Sequence, residues 1–137
     1  LSVLSLAFIF ALLISFTASA HTPVFYVEDY HDGTVYMQGG FSDGSSAAGT
    51  EVMVVQDKKF DSDTSPREKY LKKLGEEVKE DQEAELFKGK LILYKTKLDD
   101  FSELILQKPD CSYLLVFNAG PGHKVIEKGP KLTDSEK

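Results

Sequence analysis

His21, His31 and His123 are the side chains of this chain best suited to holding a metal ion, because a neutral imidazole offers a nitrogen lone pair near physiological pH. His21 directly follows Thr17-Ala18-Ser19-Ala20, and before that runs the uncharged apolar stretch Leu1 to Phe16. Small residues at Ala18 and Ala20 behind such a run form the pattern that a signal peptidase reads. Cleavage after Ala20 makes His21 the first residue of the mature chain, so that one residue supplies both an α-amine and an imidazole. Both can act as neutral donors near pH 7 at modest proton cost. Pro23 limits the mode of binding. A chelate descending through successive deprotonated backbone amides stops at a residue without an N–H, so the remaining ligands must come from elsewhere in the fold.

The elements that would bring them are mostly strands. Pro23 to Glu28 is rich in β-branched and aromatic residues, Asp32-Gly33 marks a turn, and Thr34 to Gln38 follows. Two such runs around an Asp-Gly pair predict a hairpin. In a hairpin the start of the first strand lies beside the end of the second, so His21 is expected near Gly39 to Asp43. His31 then sits in the turn, roughly 25 Å away at about 3.3 Å per residue, and is expected to share no site with His21. Further strands are predicted at Glu51–Gln56, Lys90–Lys97, Phe101–Gln107, Ser112–Asn118 and, briefly, Lys124–Glu127. His123 closes the loop Asn118-Ala119-Gly120-Pro121-Gly122. If the strand before it ends at the same pole, His21, His123 and Asp43 converge. Met37 and Met53 are expected as core residues rather than copper ligands.

One segment has helical spacing. Ser65-Pro66-Arg67-Glu68 matches a capping box with proline at the first helical position. Tyr70, Leu71, Leu74 and Val78 recur on one stripe behind it, and Lys/Glu pairs sit four apart on the others. These features predict a helix over residues 66–86 within an insertion spanning 60–88. The expected organisation is a signal peptide over residues 1–20, an all-β antiparallel sandwich over 21–127 and a disordered tail over 128–137.

Composition narrows the function classes. The chain has 22 acidic and 16 basic residues and a formal charge of −6, which disfavours nucleic-acid binding, since that depends on cationic side chains neutralising phosphates. The single Cys111 has no internal disulfide partner, and no cysteine follows the apolar run, which disfavours a lipoprotein. The export signal predicts a periplasmic or extracellular location, or membrane anchoring where the signal stays uncleaved. The missing initiator Met and basic leader residues point to a few residues preceding Leu1. Nucleophile elbows, zinc-protease motifs and phosphate loops are absent from the sequence, so no enzymatic activity is expected.

Two strings carry a resemblance. Phe41 to Gly49 (FSDGSSAAG) together with Phe117 to His123 (FNAGPGH) resembles the small extracytoplasmic accessory proteins encoded with bacterial nickel/cobalt importers of the energy-coupling-factor type. The similarity runs from His21 to about Glu127, in two blocks separated by the helical insertion. It implies an Ig-like, carboxypeptidase-regulatory or transthyretin-like sandwich, and a protein that captures a divalent metal (nickel or cobalt foremost, copper or zinc next) and presents it to membrane importer subunits. It carries His21 and His123 over as ligands, with Asp43 as an oxygen ligand or a residue behind them. The chain departs from the regulatory-domain pattern at Ser102 and Cys111, where glycine is usual. Two other readings stand beside this one: a copper carrier or oxidase-like protein with an N-terminal histidine brace, and an adhesion or assembly sandwich without metal.

Overall fold

The computed structural model describes residues 21–79 and 81–137; the segment read as a signal peptide lies outside them. Eight strands form two antiparallel sheets: β1 (Pro23–Asp29), β2 (Thr34–Phe41), β3 (Glu51–Lys59), β4 (Leu86–Phe87), β5 (Lys90–Lys97), β6 (Glu103–Gln107), β7 (Tyr113–Asn118) and β8 (Lys124–Lys128). A three-stranded sheet has the order β1-β2-β6 and a five-stranded sheet the order β4-β5-β3-β7-β8. The described chain is therefore mostly β, with one short helix.

Alternation explains the smaller sheet. Phe25, Val35 and Met37 point inward and are buried, while Val24, Tyr26 and Glu28 point outward, as the two-residue period of a pleated strand requires. The central strands β3 and β7 are near-continuous apolar runs because both of their faces are covered. Val52, Val54, Leu115 and Phe117 meet Phe25, Val35 and Met37 in the main core. Met53, Val55 and Val116, on the opposite face, form a second cluster with Ile92. Gly39 in β2 leaves room for this packing. A Cβ there would lie 2.6 Å from Leu98 Cδ1 and 2.8 Å from Phe117 Cε2.

The helix α1 covers Ser65–Leu74, not the full stretch to Leu86. Thr64, rather than Ser65, is its cap residue, and no side chain closes a capping box; the Ser65 N–H is satisfied by Asp63 Oδ1 at 2.9 Å. Pro66 and Glu68 suit the first turn, and Lys72 and Lys73 the last. Termination comes at Gly75, whose φ of +77° is left-handed and favours glycine. Arg67 holds the chain beyond it by donating to the carbonyls of Gln82 at 3.1 Å and Glu83 at 3.2 Å, groups that a longer helix would have paired internally. Tyr70 anchors the buried side of α1, its hydroxyl donating to the Gln107 carbonyl at 2.6 Å.

The segment after β8, expected as a disordered tail, is tied to the sheets. Gly129 N–H donates to the Tyr113 carbonyl at 2.9 Å, and the Tyr113 hydroxyl donates to the Pro130 carbonyl at 2.7 Å. A short 3-10 turn over Asp134–Glu136 then brings Glu136 to the β1–β2 turn. There its Oε2 accepts from Gly33 N–H at 2.8 Å and from Lys108 Nζ at 2.6 Å. Lys108 is fully buried and also donates to Asp29 Oδ1 at 2.6 Å. Burial works to lower the Lys108 pKa, but the Asp29 and Glu136 carboxylates outweigh it and hold the ammonium above its ordinary range.

Candidate metal site

Pairing of β1 with β2 sets the position of His21. Pro23 lies opposite Phe41, and the ladder extends one step further, with Ser42 N–H donating to the Thr22 carbonyl at 2.9 Å. Asp43 therefore comes up beside His21, and its Oδ2 contacts His21 Nδ1. The other carboxylate oxygen, Oδ1, accepts from the Ser45 hydroxyl at 2.6 Å and the Ser45 N–H at 3.0 Å. These two bonds, and then the neighbouring His21, hold the Asp43 carboxyl below its ordinary range. An ionised carboxylate on Nδ1 needs a proton on that nitrogen, which leaves the Nε2 lone pair of a neutral ring available.

Behind His21 runs an aromatic ladder into the core. The imidazole stands edge-on to Phe41 with centroids 6.2 Å apart, Phe41 tilts onto Phe117 at 6.1 Å, and Phe117 stacks on Phe25 at 5.4 Å. Phe117 belongs to β7, so the same ladder brings the β7–β8 loop to the pole where His21 begins. That loop is closed by Ala119 N–H donating to the His123 carbonyl at 3.0 Å and His123 N–H donating to the Gly120 carbonyl at 2.9 Å. His123 Nδ1 lies 3.1 Å from the Pro121 carbonyl. A carbonyl can only accept, so this bond puts a proton on Nδ1, and in a neutral ring Nε2 then keeps its lone pair.

His21, Phe41, Ser45, Ala119 and His123 line one open depression of about 480 Å³. The two histidines thus share a concave surface, and Asp43 touches one of them. His31 occupies the turn at the other end of the hairpin, where Asp29 pairs with Val35, and its Nδ1 lies 3.3 Å from Asp29 Oδ2. Met37 and Met53 are buried in the two apolar clusters. Among the described residues, no group of three or more His, Cys, Asp or Glu side chains is gathered closely enough to hold a metal ion. Likewise, among the described residues no helix is long and apolar enough to cross a membrane.

Comparison with protein-family models, with curated proteins and with solved structures finds no match to this chain.

Two residues outside the sequence-derived ligand set shape this pole. Ser45 fixes the Asp43 carboxylate, as described above; its signal in the sequence was the Asp-x-Ser spacing, which favours a side-chain-to-backbone turn. Ser102 stands where the resemblance implies glycine, and its φ of +61° is the left-handed conformation glycine adopts most readily. Its hydroxyl compensates by accepting the buried Ala47 N–H at 3.0 Å and meeting Ser46 Oγ at 3.2 Å, which pins the Gly/Ser loop. Cys111 lies in a separate depression with Lys69, Lys73 and Asp110. Burial, then the charge of Asp110, pushes its thiol pKa up, which disfavours the reactive thiolate.

Proposed function

We propose that this chain is an extracytoplasmic metal-binding protein that takes up a divalent transition-metal ion as cargo and presents it to a membrane importer. The observation that carries the reading is the shared depression lined by His21 and His123, with Asp43 on the His21 ring. Nitrogen-rich donor sets with one carboxylate suit nickel, cobalt, copper and zinc. The preference for nickel or cobalt, and the importer subunits as partners, come from the resemblance of the two Gly-rich strings. The same resemblance supports reading the two sheets as an Ig-like or transthyretin-like sandwich.

Two further points support this ligand set. A metal that takes the place of the proton between His21 Nδ1 and Asp43 moves the ring proton to Nε2 and makes Nδ1 and the carboxylate neighbouring ligands. A mature N-terminus at His21 adds the α-amine, which forms a chelate with Nδ1, while His123 contributes Nε2 from across the depression. Equilibrium dialysis of the exported chain against Ni(II) and Co(II) tests the reading. One ion bound per chain, lost in His21→Ala and in His123→Ala, is the expected result. Retention of full affinity in either variant rejects it.

A further inference from the structure

The outward face of the three-stranded sheet is a different surface from the histidine depression, and it has an unusual composition. Tyr26 and Tyr36 project from β1 and β2, Ile105 projects from β6, and Tyr30 follows β1; Tyr26, Tyr30 and Ile105 are 53, 41 and 55% exposed. The register interleaves carboxylates among them. Glu28 lies opposite Tyr36, which lies opposite Ile105, and Tyr26 lies opposite Gln38, which lies opposite Glu103. None of the outward positions of β1, β2 and β6 is a lysine or arginine. Buried sheet faces do not carry carboxylates in this way, and solvated faces of soluble domains mix both signs of charge.

We propose that this face docks a basic protein segment through arginine side chains. Guanidinium groups stack on tyrosine rings and pair with carboxylates in a planar fork, so a surface alternating tyrosine and glutamate matches arginine better than lysine. The Tyr30 and Tyr36 rings are stacked at 5.5 Å and 14°, while Tyr26 meets Tyr36 edge-on at 66°. The three rings therefore do not form one flat platform, which a row of sugar rings would need. A second copy of this chain is disfavoured as well, because it sets Glu28 and Glu103 against like charges. Crowding by neighbouring atoms, then the charges of Glu28, Glu103 and Asp32, raise the Tyr30 pKa, in keeping with a negative potential over the face.

The test is an NMR titration of the isotope-labelled full chain with a peptide of alternating arginine and glycine, beside its lysine counterpart. Shift changes centred on Tyr26, Glu28, Tyr36 and Ile105 are expected, with the arginine peptide binding about threefold more tightly. Tyr26→Ser and the pair Glu28→Gln/Glu103→Gln should each weaken it by about threefold to tenfold, at unchanged melting temperature. His123→Ala should leave it intact, which separates this surface from the metal reading. The proposal is overturned by shifts spread over carboxylates elsewhere and indifferent to Tyr26→Ser. It is overturned equally if the face responds to a neutral oligosaccharide but not to the peptide, or to protein concentration alone.

Discussion

Lys108 and Glu136, 2.6 Å apart with side chains 0 and 4% exposed, join the end of the chain to the hairpin turn farthest from His21. Lys108 enters the core only because two carboxylates meet it, from Asp29 and from the last turn of the chain. A buried charge stripped of a partner is far more costly than an intact pair is beneficial. The terminal segment is therefore a structural strap.

That strap makes stability pH-dependent. Lys108, then Thr133 and the Gly33 N–H, pull the Glu136 carboxyl down to about 2 from an ordinary 4.5. For a carboxylate depressed in the folded state, the stabilisation is fully present above the unfolded pKa and is lost as pH falls through the folded one. The melting temperature should therefore drop progressively as pH falls from about 4.5 toward 2. Glu136→Gln should lower it at pH 7 and flatten that acid dependence. Calorimetric scans from pH 7 to 2 check both outcomes.

Ser102 gives a second stability prediction. Ser102→Ala keeps the left-handed backbone and strands the buried Ala47 N–H, which should cost about 1–2 kcal/mol. Ser102→Gly loses the same hydrogen bond but relaxes a strained φ, and should cost about 1 kcal/mol less. Urea unfolding of the two variants measures the difference, and equal losses would show that the backbone angle carries no strain.

Gly39→Ala should destabilise by about 1–3 kcal/mol, because the added methyl overlaps Leu98 and Phe117 in a filled core. Phe117 also stands behind Phe41 and His21, so metal affinity should fall in the same variant. Thermal unfolding and dialysis on one preparation check the pair.

Much of this architecture was legible in the sequence, for local reasons. The β1–β2 hairpin followed from alternation around Asp32-Gly33, and the placement of Asp43 beside His21 followed from hairpin geometry. What local reasoning missed depends on tertiary contacts. The apolar stripe overextends the helix, because Val78 continues the spacing of Leu71 and Leu74 beyond its end at Leu74. Only the left-handed turn at Gly75 and the grip of Arg67 on Gln82 and Glu83 end it. The tail reads as disordered, since nothing nearby in sequence shows that Glu136 neutralises Lys108. At the histidine pole, the approach of the β7–β8 loop rests on the contact between Phe41 and Phe117, residues far apart in the chain.

The free N-terminus has its own test. One glycine placed before His21 keeps every side chain but turns the amine into an amide, a poor neutral donor. Ni(II) affinity of the extended protein should fall by at least about tenfold, or 1.4 kcal/mol. Its melting temperature without metal should stay unchanged, because His21 is exposed. Unchanged affinity would limit His21 to its imidazole.

The most direct measurement is a calorimetric Ni(II) titration of the chain beginning at His21, run beside His21→Ala, His123→Ala and His31→Ala. One site per chain is expected, weakened by at least about tenfold in each of the first two variants and unaltered in the third, whose histidine lies at the opposite end of the hairpin. Full affinity in His123→Ala, or an equal loss in His31→Ala, would contradict a metal site built between His21 and His123.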